Sequence, residues 1–177
     1  MDSQSLDRLR TAIRDVPDFP QPGIIFKDIT PVLADPALLD LAINGMVGAV
    51  DGRKVDKVVG IDARGFIFGS LVAQKLGAGF IPARKKGKLP YKTRGLDYAL
   101  EYGTASLEMH EDAIMPGEKV LLADDLLATG GTAGAALKLI SLAGGDLVGA
   151  VFFIELGFLK GRERLAGTGA VHSLIQF

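Results

Sequence analysis

Asp124 and Asp125 follow directly on an apolar run, Val120-Leu121-Leu122-Ala123, and lead into Leu126-Leu127-Ala128-Thr129-Gly130-Gly131-Thr132. The run has the length and content of a buried parallel strand, and apolar residues recur at helical spacing from Ala135 to Leu142. The loop between them offers several backbone N–H groups and two hydroxyls at the positive end of the coming helix, a natural seat for an anion. The two carboxylates would repel a phosphate but accept hydrogen bonds from sugar hydroxyls. Loop and acids together describe a grip on a ribose 5-phosphate. Taken singly they have plainer readings: Gly130-Gly131 as a capped turn, the acids as a metal site. The loop is not a Walker A motif, since no Lys precedes Thr132 in a Gly-Lys-Thr arrangement. Nor do Gly130, Gly131 and Gly134 have dinucleotide-fingerprint spacing.

A second turn of the same kind, Asp62-Ala63-Arg64-Gly65, follows the apolar run Lys57-Val58-Val59-Gly60-Ile61 and opens a helical stretch, Phe66 to Leu76. Further elements alternate along the chain. Helical spacing is read over Ser5 to Val16 (with Ser3 or Ser5 as N-cap), Pro36 to Val50 and 131–143, with a short helix near Lys160 to Leu165. Strands are read at 79–83, 119–123, 147–155 and 171–175, with an antiparallel pair from Tyr98–Glu101 and Thr104–His110. The proline-rich segment Phe19 to Pro31 is an ordered non-helical stretch. Arg84 to Asp97 is basic, punctuated by Gly and Pro, and is expected to be a mobile loop. Such alternation implies an α/β fold with a central, mostly parallel sheet flanked by helices. Ligands in these sheets bind at strand C-terminal ends, where Asp62 and Asp124-Asp125 fall.

The chain has 177 residues, 48% hydrophobic, with a formal charge of −1 and no cysteine. That length suits a single domain over 1–177 and a sizeable core. The charge balance gives no nucleic-acid surface, and lack of cysteine excludes disulfides and thiolate metal sites. Met1 to Arg14 is polar, without the apolar core of a secretory leader, and no apolar stretch is long enough for a bilayer span. A cytoplasmic protein that binds neither membrane nor nucleic acid is expected.

Residues 120–132 resemble the phosphoribosyl pyrophosphate (PRPP) motif of the type I phosphoribosyltransferases, and the ending Leu-Leu-Ala-Thr-Gly-Gly-Thr is similar to the adenine-specific members. Three further segments match in order: 19–31, 60–66, and 84–90 followed by Leu100-Glu101-Tyr102-Gly103. The resemblance implies the fold of that family, with a small N-terminal hood at about 15–35 and a catalytic loop at about 84–103. It implies transfer of a phosphoribosyl group from PRPP to adenine, giving AMP and diphosphate, with Mg²⁺ held mainly by substrate and water, in a homodimer. By the same resemblance, Asp124, Asp125, Ala128, Thr129, Gly130, Gly131 and Thr132 bind the ribose 5-phosphate. Ala63, Arg64 and Gly65 form the diphosphate turn, and Arg84, Lys85 and Lys88 add positive charge from the loop. Glu101 is the candidate acid/base, with Tyr102 beside it. Ile25, Phe26, Lys27 and Leu156 surround the base. At Ala128 the hypoxanthine–guanine enzymes carry an Asp; Ala, which neither donates nor accepts a proton, argues against oxopurines. The alternatives are an enzyme for uracil, orotate or xanthine, or a non-catalytic PRPP-sensing regulator, for which the chain has no basic recognition helix.

Overall fold

The computed structural model describes residues 1–99 and 104–177, so Glu101 and Tyr102 lie outside the described residues. The chain divides into two compact units, Met1–Gly45 and Met46–Phe177. In the first, helix α1 (Ser3–Ala12) is capped by Asp2, whose carboxylate accepts the Ser5 N–H at 2.7 Å. The helix stops short of the expected Val16 because Arg14–Pro17 forms strand β1, antiparallel to β2 (Ile25–Asp28). Pro17 also disfavours a helical Val16 before it. Phe19 meets Phe26 edge-on at 5.2 Å, which orders the proline-rich segment. A short α2 (Thr30–Ala34) precedes α3 (Pro36–Gly48), which crosses the boundary between the units.

The second unit contains β3 (Lys57–Ile61), α4 (Gly65–Leu76), β4 (Gly79–Lys85), β5 (Thr93–Ala99), β6 (Thr104–His110), β7 (Lys119–Leu127), α5 (Gly131–Leu142), β8 (Asp146–Glu155) and β9 (Ala170–Gln176). Two 3₁₀ turns, Gly157–Leu159 and Gly161–Leu165, join the last two strands. The sheet order is β5-β6-β4-β3-β7-β8-β9, parallel from β4 to β9 and antiparallel at the β5–β6 edge. Two expectations need correction. Arg84–Asp97 is not all loop: Arg84 and Lys85 pair with Glu108 and Leu107, and Thr93–Ala99 pairs along β6. Leu96 and Tyr98 turn inward from that strand against the core, Arg94 on the same face donates to the Leu142 carbonyl of α5, and Asp97 faces out. Likewise β7 does not end at Ala123. Its ladder with β8 continues through Asp124↔Phe152 to Leu127↔Glu155, so the acidic pair belongs to the strand.

Alternation divides the buried residues of β3 and β7 between two faces. Val59, Ile61, Val120 and Leu122 join Ala135, Ala136, Leu139 and Ile140 of α5 in one core. On α4, Phe68 stacks on Phe153 of β8 at 5.2 Å. Close approach of α4 to the sheet depends on paired glycines. A Cβ on Gly60 would lie 2.7 Å from the Phe80 ring and 2.8 Å from the Gly65 carbonyl; one on Gly69 would lie 3.2 Å from the Gly60 Cα. Gly60→Ala should therefore cost about 1–3 kcal/mol through overpacking. Urea unfolding checks this, and a midpoint equal to the parent's would show that α4 can back away.

Candidate active site

Parallel pairing of β3 with β7 sets their two C-terminal ends side by side, with Gly60 opposite Ala123. The turn after β3 and the end of β7 therefore border one cleft of about 320 Å³, lined by residues 61–64 and 124–133. Asp124 folds back over the start of α4: a Cβ on Gly65 would lie 2.3 Å from Asp124 Oδ1. No side chain fits there. The same Oδ1 accepts the Asp125 N–H at 2.9 Å. Asp125 is buried, and its Oδ2 lies 2.7 Å from Arg64 Nε. Burial, then the neighbouring Asp125 charge, push the Asp124 carboxyl well above its ordinary range. Burial also raises Asp125, against the opposing pull of Arg64.

Beyond the acids the chain reverses at Gly130, whose φ of 80° is the left-handed conformation glycine adopts freely. Helix α5 starts there, and its first ladder bond runs from the Gly134 N–H to the Gly130 carbonyl at 2.8 Å. The amides of Gly131, Thr132 and Ala133 precede that bond and head into the cleft end of the helix dipole. The Thr132 hydroxyl donates to Tyr98 Oη of β5 at 3.2 Å, tying the edge hairpin to the anion loop.

A second cleft of about 540 Å³ shares Ile61, Asp62 and Thr132 with the first and carries Lys85, Lys86 and Tyr98 on its wall. Arg84 is tied to this wall through Asp62. Its Nε pairs with Asp62 Oδ2 at 3.0 Å, its Nη1 donates to the Lys88 carbonyl at 2.9 Å, and its plane lies 5.8 Å from the Phe66 ring. The described residues thus hold two adjoining concavities at the sheet's C-terminal end. One joins an amide-and-hydroxyl anion seat to carboxylates and an arginine; the other bears two lysines. Such a pair fits an elongated polyanion carrying a sugar.

Residues 32–168 match the family model of the phosphoribosyl transferase domain. The adenine phosphoribosyltransferase of Nitrosococcus oceani is 55% identical over 172 residues, covering 97% of this chain and 100% of that one. The chain belongs to the adenine phosphoribosyltransferase family. The crystal structure of the Rhodothermus marinus adenine phosphoribosyltransferase is 54% identical, with a TM-score of 0.95, covering 99% of this chain and all of that one. The Saccharomyces cerevisiae enzyme, crystallised with an imino-altritol bisphosphate and adenine, is 37% identical with a TM-score of 0.91, covering 98% and 99%. The shared architecture is the type I phosphoribosyltransferase fold.

Of the adenine phosphoribosyltransferase residues picked from the sequence, Ala63, Arg64, Asp124, Asp125 and Ala128–Thr132 line the first cleft. Gly65 stands beneath Asp124, and Lys85 lines the second cleft. Lys88 is exposed and contributes its carbonyl to Arg84. Leu156 is half-buried just past β8, its N–H bonded to the Leu127 carbonyl at 2.9 Å. Ile25, Phe26 and Lys27 are on β2 of the first unit. Lys86 and Tyr98, also on the wall of the second cleft, are not among the residues picked from the sequence. The period-two inward pointing of Leu96 and Tyr98 was the available signal for Tyr98.

The raised carboxyls have a consequence for stability. A group whose pKa rises on folding favours the fold in its protonated form, fully so below its unfolded value and no longer above its folded one. At neutral pH, above the ordinary carboxylate range, the raised pair therefore opposes folding. Asp124→Asn should melt about 2–4 °C higher than the parent at pH 7.5, the worth of about 1 kcal/mol in a chain of this size. The gain should vanish at pH values below the ordinary carboxylate range. Thermal melts across that range check it, and a pH-independent difference would refute it.

Proposed function

We propose that this chain converts adenine and PRPP to AMP and diphosphate in purine salvage. The observation that carries this reading is the single cleft in which the anion loop at the start of α5, the acidic pair and Arg64 meet, in a chain that is 55% identical to a known adenine phosphoribosyltransferase. In this reading the amides and hydroxyls of residues 128–132 hold the 5-phosphate. Asp124 and Asp125 accept the ribose hydroxyls, and their charge favours the cationic character that develops at C1 as its bond to diphosphate loosens. The turn of Ala63, Arg64 and Gly65 takes the departing diphosphate, with Arg64 as its pairing cation. Adenine N9 bonds to C1 on the opposite side, with inversion, and Glu101 handles the proton lost from the purine. Tyr102 flanks it. Lys85, Lys88 and Arg84 supply positive charge beside the diphosphate. Phe26 and Leu156 enclose the base, and main-chain groups of Ile25 and Lys27 read its edge.

Magnesium balances diphosphate charge in this family, and the cleft suits it as a partner of the substrate. The nearby protein donors are carboxylate and hydroxyl oxygens, the hard ligands Mg²⁺ takes, often through water. Among the described residues no cluster of three His, Cys, Asp or Glu stands ready to cage a metal. A homodimer in the cytoplasm completes the reading by resemblance; sedimentation at micromolar concentration measures the first. Among the described residues no helix is long and apolar enough to cross a membrane.

A base panel tests the assignment. With PRPP and Mg²⁺, adenine should turn over to AMP while uracil, orotate, xanthine and hypoxanthine do not. Turnover of another base without adenine would overturn it. Arg64→Ala should lower kcat on the order of 100-fold or more, as removal of a group that stabilises developing charge does. Glu101→Ala should also depress turnover, and a parental rate would move the proton transfer elsewhere.

A further inference from the structure

Glu155 is a buried carboxylate, 3% exposed, with no part in the scheme above. It ends β8, and Arg162 meets it with a fork: Nε to Oε1 at 3.2 Å and Nη2 to Oε2 at 2.5 Å. The same guanidinium donates to the Val171 carbonyl and, at 3.4 Å, to Ser173 Oγ, both on β9. Arg162 is thus bolted to two neighbouring strands of the sheet. The hydrogen bonds from Arg162 hold the Glu155 carboxyl below its usual range. On the other side of Arg162, Leu165 is buried and reaches toward α5, its Cδ2 3.9 Å from where a Gly134 Cβ would be.

Directly before Arg162 lies Gly161, pressed onto the anion loop. A Cβ on Gly161 would fall 2.0 Å from the Ala128 carbonyl oxygen and 2.9 Å from the Gly130 nitrogen. A Cβ on Gly130 would fall 2.4 Å from the Gly161 carbonyl oxygen. Backbone rests on backbone in both directions. The loop that bears the amides is short and turns through a left-handed glycine, so its own ladder does not fix where those amides aim. A wall behind it does.

We propose that Arg162 is a positioning residue for the 5-phosphate loop: by its fork to Glu155 it holds Gly161 against Ala128 and Gly130 and so aims the loop's donors. The inference rests on reading residues 128–132 as the phosphate seat. Leu156, although next to Glu155, is held by backbone bonds to Leu127 and by the Phe177–Glu155 and Gly157–Phe177 bonds, which do not involve the ion pair. Loosening Arg162 should therefore disturb the phosphate end and spare the base end.

The test uses the full chain and ribose 5-phosphate as the probe, followed by calorimetry, with KM for PRPP and for adenine measured alongside. The double variant Glu155→Gln/Arg162→Met removes the fork without leaving a buried charge unpaired, and Gly161→Ala intrudes on the loop directly. Both should weaken ribose 5-phosphate binding and raise KM for PRPP about tenfold, since a misplacement of about 1 Å can cost on the order of 100-fold. KM for adenine should stay within about twofold. Arg162→Lys, with a point charge in place of the fork, should fall between. Thr132→Val is the control for the seat itself. If it weakens ribose 5-phosphate binding while the double variant does not, the positioning role is overturned alone. If Thr132→Val has no effect either, the phosphate-seat reading falls too. Equal losses for both substrates would mark Arg162 as a general stabiliser and also overturn the role. Should Gly161→Ala fail to fold, the double variant decides.

Discussion

Two adjacent carboxylates at the end of a buried strand impose the constraint from which the cleft is built. Taking them out of water is costly unless hydrogen bonds or opposite charge compensate. The compensation is local: an amide for Asp124, a guanidinium for Asp125. The second depends on the start of α4 lying against β7, which requires a residue without a side chain at Gly65. That approach depends in turn on the Gly60–Gly69 contact one turn deeper. A line of small residues running from the core to the surface thus decides how near Arg64 comes to the acids. Packing and charge are here a single problem.

The same logic explains why the cleft lies where β3 and β7 lead into their helices. Parallel strands start their following helices from one end of the sheet, so two positive helix starts converge there. The acids sit between them. They lower the local positive potential, and they hold Arg64 in place beside the cleft.

The periodic elements were legible in the sequence: β3, α4, the start of β7 and α5 match the apolar patterns closely. What sequence spacing did not reveal came from partners distant along the chain. β7 runs past Ala123 because β8 is long enough to keep pairing with it. β5 hides among basic and turn-forming residues because, among its described side chains, Leu96 and Tyr98 are the apolar ones packed on the core, too few to make a pattern. Arg84 reads as a loop cation until Asp62, 22 residues earlier, is found beside it. The Glu155–Arg162 fork is invisible for the same reason, since the turns between β8 and β9 set the distance.

If residues 128–132 are the phosphate seat, as proposed, the acids beside it would also act as a filter on what enters. A polyphosphate tail with one phosphate on the amides of α5 would turn its next charged oxygens toward Asp124 and Asp125 and be repelled. A sugar phosphate presents hydroxyls at that point, and each hydroxyl turns a repulsion into a hydrogen bond. Discrimination against polyphosphates would then come from the carboxylates, the loop itself being indifferent to what its phosphate is attached to.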